Sequence, residues 1–179
     1  MVYKGHTPLE YAKMACDTMM KKFKAEDLPP KGRFHYHQGV FLSGVQKTYR
    51  LCKEQKYFDY IKEWIDSIID ENGEIHTFDP GQLDDIQPGI LLYDLYKETG
   101  DDRYKKALDT LLPLVLNFPR NAEGGFWHKE GNANEMWLDG LYMGGPIAAQ
   151  YGAEFDHLEY FDACIYQALM MERNTRDKK

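Results

Sequence analysis

The sequence predicts an all-α protein built from repeated helical hairpins. Three observations carry that prediction. Apolar residues recur at steps of three and four along most of the chain. Gly, Pro and Asn cluster between these stretches, where helices stop. Paired tyrosines recur at a long interval: Tyr49 and Tyr57, Tyr96 and Tyr104, then Tyr151 and Tyr160 each bracket a short turn. The first two pairs are offset by 47 residues, the second and third by 55 or 56. Such intervals exceed the tetratricopeptide and ankyrin periods and suit longer helix pairs.

A leading helix opens at Thr7-Pro8-Leu9-Glu10, which has capping-box spacing with Pro at the first helical position. Leu9, Ala12, Cys16, Met19 and Phe23 form its apolar stripe, and Lys21, Lys22 and Lys24 suit the negative end of its dipole. Leu28-Pro29-Pro30 ends it. The first hairpin is expected from His37 to about Gln55 and from Tyr57 to Asp70, where Asn72-Gly73 stops it. The second runs from about Asp84 to Thr99 and from Asp101 to Asn117, split at Gly100, with Pro113 expected to kink or shorten its outer helix. The third runs from about Asp139 to Tyr151 and from Asp156 to about Arg173.

Within each hairpin the first helix is apolar nearly all round, as in Gly89-Ile90-Leu91-Leu92-Tyr93, or rich in small residues, as in Gly144-Gly145-Pro146-Ile147-Ala148. Such helices are buried. The second is amphipathic, with Lys62, Glu63, Lys105, Lys106 and Asp109 facing water. The pattern describes an inner ring and an outer ring. Residues 1–179 are read as a single domain: the leading helix plus three hairpins.

Composition narrows the function. A chain of 179 residues with 43% hydrophobic content can build one core. A net charge of −7, spread along the chain, argues against nucleic acid, which needs clustered Lys and Arg. No apolar run reaches membrane-spanning length. Met1 to Gly5 lacks the pattern of a secretory leader, and Cys16, Cys52 and Cys164 lie far apart inside helical patterns. Both point to a reducing cytoplasm. Aromatic residues reach 14%, mostly as core filling, yet sugar pockets also use aromatic faces.

The long loops, Glu71 to Leu83 and Arg120 to Leu138, lead into the second and third inner helices and carry Gly, Pro, Asn, His and Trp. Loops gathered at one end of a scaffold are where function usually sits. The tyrosine register places His37, Asp84 and Asp139 at equivalent starts of the three inner helices, on that rim. Helix capping is the competing reading, since Asp is a favoured cap. Asp139 has apolar neighbours, Trp137 and Leu141-Tyr142, which suit a working acid better than a cap in water. The helix terminus favours its charged form, whereas burial and a neighbouring carboxylate oppose it. The expectation is that burial prevails. His128, in Gly125-Phe126-Trp127-His128, is a candidate sugar contact beside Trp127. His35 and His76 have no such support. Asp84-Asp85 lacks a third ligand at helical spacing, so no metal and no other cofactor is expected. There is no Gly-rich phosphate loop and no nucleophile elbow.

At these residues the chain resembles a known family. Phe34-His35-Tyr36-His37-Gln38-Gly39, Asp84-Asp85-Ile86-Gln87-Pro88-Gly89, Glu123-Gly124-Gly125-Phe126-Trp127-His128-Lys129 and Met136-Trp137-Leu138-Asp139-Gly140-Leu141-Tyr142-Met143 are similar to motifs of the unsaturated rhamnogalacturonyl hydrolases. These form glycoside hydrolase family 105, related to family 88. The resemblance implies a six-hairpin α/α toroid with a pocket at one rim. It implies a small-molecule substrate, an unsaturated uronic-acid disaccharide from pectin (rhamnogalacturonan), whose 4,5 double bond is hydrated. Asp139 matches the general acid/base. Asp84 would bind the unsaturated ring, with Trp127, His128, Trp137 and His37 around it. Family chains are about twice as long, so the chain is expected to form half a ring that exposes a face at each end. Self-association or a second chain would complete it, and the half ring alone is expected to be weakly active or inactive. Two further readings are an unsaturated glucuronyl hydrolase acting on glycosaminoglycan or gellan fragments, and an inactive sugar-binding or helical-repeat scaffold.

Overall fold

The computed structural model describes residues 3–177. The reading of a missing leader rests partly on Met1 and Val2, which lie outside the described residues. Among these residues seven α-helices occur: α1 (Pro8–Lys22), α2 (Tyr36–Cys52), α3 (Gln55–Asp66), α4 (Leu92–Thr99), α5 (Asp102–Asn117), α6 (Leu138–Phe155) and α7 (Leu158–Thr175). The fold is all-α, and the hairpins α2–α3, α4–α5 and α6–α7 follow α1 as the repeat predicts. The capping box at α1 forms: the Thr7 hydroxyl accepts from Glu10 N–H, and Glu10 accepts from Thr7 N–H.

The inner elements α2, α4 and α6 stand side by side, and α1, α3, α5 and α7 back them. Trp64, Ile65, Leu108, Leu111 and Leu112 from the outer helices meet Leu42, Val45, Leu92 and Ile147 from the inner ones, all at most 1% exposed. Each full burial of such a side chain is worth about 1.5–3 kcal/mol. The repeat tyrosines tie each hairpin to the outer helix before it, Tyr57 and Tyr104 from α3 and α5 and Tyr151 from inner helix α6. Tyr57 O–H donates to Asp17, Tyr104 to Asp66 and Tyr151 to Asp109, at 2.9, 2.7 and 2.7 Å.

Four local expectations need correction. The inner segment read as one helix from Asp84 is two short 3-10 turns, Leu83–Asp85 and Gln87–Leu91, before α4 begins. Pro88 has no N–H to give to the Asp84 carbonyl, which forbids the α-helical bond there. The outer helix expected to reach Asp70 ends at Asp66, and Ile69 instead makes a β-bridge with Ile75. Pro113 does not end α5, which runs on to Asn117 with the proline on its exposed side. Finally, the inner helices are not buried all round. Val40, Leu51 and Tyr142 are 43%, 72% and 45% exposed, because half a ring leaves its concave face open.

The two ends of the half ring also differ. The last hairpin exposes Leu138, Tyr142, Leu158, Ile165, Tyr166 and Leu169. The free side of α1 carries Met14 among Lys21, Lys22 and other small or polar residues, so the apolar face expected there is absent. Among the described residues no helix is long and apolar enough to cross a membrane. All three cysteines are free; Cys16 is buried, while Cys52 and Cys164 are only partly so.

Gly39 lets α2 meet the Gln87–Leu91 turn. A Cβ there would stand 2.9 Å from Pro88 Cγ and 3.0 Å from Pro88 Cα, with the Gln87 amide closer still. Gly39→Ala is therefore expected to destabilise the chain by about 1–3 kcal/mol, read by urea denaturation.

Candidate active site

Two long loops build the site by pairing with each other. Gln82 bridges Lys129, and Glu130 N–H donates to Gly81 O at 2.9 Å. His128 N–H donates to Glu135 O at 2.8 Å, and Leu83 N–H reaches His128 O at 3.4 Å. These bonds bring His128 between Asp84, on the first 3-10 turn, and Asp139, in the first turn of α6.

Asp84, His128 and Asp139 come together. His128 Nε2 lies 3.7 Å from Asp84 Oδ2, and its Nδ1 lies 3.9 Å from Asp139 Oδ1. Trp137 stacks flat on the His128 ring, with centroids 4.0 Å apart and planes 4° apart. Trp137 Nε1 donates to Glu135 Oε2 at 2.9 Å, which fixes the indole. His128 is 3% exposed, and its Nδ1 is buried without a hydrogen-bond partner. The three side chains offer donor atoms within 4.8 Å of one another. Each carboxylate lies nearest a different ring nitrogen, however, which is the layout of a bridge rather than of a cage around one ion.

The two carboxyls differ in environment. Asp84 is 8% exposed, and burial pushes its carboxyl above the usual carboxylate range, against the opposing charges of His128 and His35. Asp139 is the reverse: its side chain is 49% exposed. The burial expected for it is not found. It stands at the open edge of the last hairpin, beside the equally uncovered Leu138 and Tyr142, and nothing packs there.

The other expected residues are less central. His37, near the start of α2, stacks on Tyr36 at 4.2 Å and lies 4.9 Å from the His35 ring; it is exposed. The residue of that strip whose charge bears on Asp84 is His35. Trp127 N–H donates to Pro119 O, and its side chain packs on the core with Nε1 buried and unpaired. It is not joined to the cluster by the contacts of the described residues.

Sequence reasoning missed His35 and Asp85. His35 Nδ1 makes a very short contact with Asp85 Oδ1, Asp79 N–H donates to Asp85 Oδ2 at 2.8 Å, and Arg33 approaches the same oxygen at 3.4 Å. Asp85 is fully buried. It anchors the turn that presents Asp84. The signal was available in the adjacent acids and in a histidine just ahead of an inner helix, but their pairing spans 50 residues.

A stack of helical hairpins with a carboxylate–imidazole–carboxylate cluster at one rim defines a class: half of an α/α toroid of the glycoside hydrolase kind. The model of Glycosyl Hydrolase Family 88 matches residues 11–179, and the chain belongs to that family. It is similar to a family 105 glycoside hydrolase of C. acetobutylicum ATCC 824, with 36% identity and a TM-score of 0.84 over 94% of this chain and 46% of that one. A possible family 105 member from Klebsiella pneumoniae subsp. pneumoniae MGH 78578 shares the fold, with 18% identity and a TM-score of 0.82 over 99% of this chain and 51% of that one. The unsaturated rhamnogalacturonyl hydrolase YesR of Bacillus subtilis (strain 168) is 27% identical over 135 residues, 72% of this chain and 38% of its own length. The chain thus spans about half the length, or less, of the proteins it matches.

The burial of Asp84 gives a pH signature. A folded carboxyl raised above its unfolded value stabilises the fold in acid, below the ordinary carboxylate range, and loses that contribution as pH climbs through its elevated value. Asp84→Asn removes the dependence. The melting temperature of the variant is therefore expected to gain on that of the native chain as pH rises from acid to neutral, read by calorimetry across pH.

Proposed function

We propose that this chain carries the acid/base half of an unsaturated uronyl hydrolase, with Asp139 as the general acid/base. The observation that carries the reading is the asymmetry of the acid pair. One carboxyl is open to a ligand, the other is buried, and their nearest oxygens lie within 4.8 Å. Ordinary glycosidases keep two working carboxylates on either side of the bond, about 5–5.5 Å apart when retaining and about 6.5–9.5 Å when inverting. A closer pair, with one member covered, suits a reaction that needs a single acid/base.

Hydration of a 4,5-unsaturated uronic acid is such a reaction. The Asp139 carboxyl gives its proton to C4 of the double bond, and positive charge at C5 spreads to the ring oxygen. Water adds at C5 and returns a proton to the Asp139 carboxylate. The hemiketal opens and expels the neighbouring sugar, so no proton is gained or lost by the protein. Asp84, covered behind His128, would back the site rather than touch the sugar, and Trp137 would wall the pocket. The name of the Bacillus relative favours rhamnose as the expelled sugar. The uncovered face of the last hairpin is where further hairpins would pack to close the pocket.

The test supplies unsaturated galacturonyl-rhamnose and follows the ultraviolet absorbance of the conjugated double bond. Asp139→Asn is expected to cut the rate by about 10²–10⁴, the usual worth of a positioned acid or base. Undiminished activity in that variant would sink the assignment. Binding without turnover would favour a sugar-binding scaffold.

A further inference from the structure

We propose that His128 is a positioning residue that takes hold of the Asp139 carboxylate through Nδ1, while Asp84 secures its Nε2; it is not a sugar contact. The inference rests on the uronyl hydrolase reading for its kinetic consequence and on geometry for its existence. A ring that stacks on a sugar must offer a face. His128 offers none: it is 3% exposed, and Trp137 lies flat against it at 4.0 Å. Its backbone is fixed at both ends of the residue, by Glu135 O and Leu83 N–H. The ring is therefore held in plane and in place.

What remains are its two nitrogens, each nearest a different carboxylate. Nδ1 is a buried polar atom without a partner. Leaving such an atom unpaired is costly, and native structures usually pair it. The carboxylate oxygen nearest it is Asp139 Oδ1, at 3.9 Å on a side chain that is 49% exposed. A movement of roughly 1 Å brings it to ordinary hydrogen-bond length. Asp84, on the far side, is also short of a partner: its Oδ1 is buried and unpaired. Nε2 lies 3.7 Å from Asp84 Oδ2, so a hydrogen bond shared with Asp84 occupies that nitrogen and leaves an Nδ1–H for Asp139.

The arrangement suits the proposed reaction. When Asp139 has given its proton to C4, it becomes a carboxylate that must wait for water. An Nδ1–H then steadies it in the orientation from which it takes the water's proton. His128 neither gains nor loses a proton in the cycle.

Two substitutions separate this role from its rivals. An asparagine amide nitrogen stands near the place of Nδ1, and a glutamine amide near that of Nε2. With unsaturated galacturonyl-rhamnose, His128→Gln is expected to lower kcat about 10- to 100-fold, the worth of one hydrogen bond to a charged group, with KM changed by no more than about twofold. His128→Asn is expected to keep most of kcat. Raised KM with intact kcat in both variants would mean a sugar contact, and equal losses in both would mean a purely structural ring; either overturns the proposal. A second readout needs no turnover. Nitrogen-15 spectra of the native chain should show His128 as the Nδ1–H form and a shift of that signal in Asp139→Asn. An Nε2–H ring indifferent to Asp139→Asn overturns the proposal. An Nδ1–H ring that responds, in a chain without activity on this sugar, would refute the hydrolase reading and leave the hold on Asp139 standing.

Discussion

No hairpin in this chain can bury its own inner helix, and most of what the structure does follows from that constraint. An amphipathic outer helix covers one side of an inner helix, and the next hairpin must cover another. The tyrosine–aspartate ties turn this need into a fixed step. Tyr57 to Asp17, Tyr104 to Asp66 and Tyr151 to Asp109 each link one repeat to the outer helix before it. Partly buried hydrogen bonds to a charged acceptor are among the stronger ones, at about 1.5–3 kcal/mol each. The first two ties come from equivalent places on α3 and α5 and the third from α6, and each resists sliding of its hairpin against the one before.

A fixed step gathers the long loops at one rim, and there they pair with each other rather than with helices. This explains why the site is rigid although it is built on loops. The bonds between the 79–85 and 128–130 segments hold Asp84 and His128, and the stack of Trp137 on His128 closes the third side. Behind Asp84 lies a second buried pair, His35 with Asp85. A buried carboxylate is tolerated only when it is paired and bonded, and Asp85 meets that condition with three partners. Asp84 has only the longer approach of His128, at 3.7 Å, and burial pushes its carboxyl above the usual carboxylate range.

The sequence made the repeat legible because period and turn chemistry are local. Leading helix, hairpin count and the placement of Asp84 and Asp139 on one rim all followed from that register. It failed where a single residue overrides a pattern. Pro88 breaks the helical reading of the Asp84 segment, although its place in the register survives. It failed again where partners are distant: nothing within a window of helical length reveals that Asp85 waits for His35. It also misjudged Asp139. Its apolar neighbours in sequence, Trp137 and Leu141-Tyr142, suggest burial, but in the fold Trp137 and Tyr142 are themselves 42% and 45% exposed.

That shared exposure has a consequence. Asp84 and His128 are already buried within these three hairpins, and Trp137 is stacked on the histidine. The surroundings of Asp139 are not closed in the same way. Whatever packs against Leu138 and Tyr142 will alter the environment of the one accessible carboxyl while leaving the two groups behind it unchanged. The site therefore divides into a preformed back wall and an adjustable front. In such a division the proposed hold of His128 on Asp139 belongs to the back wall, and the exposed Leu138 and Tyr142 belong to the front.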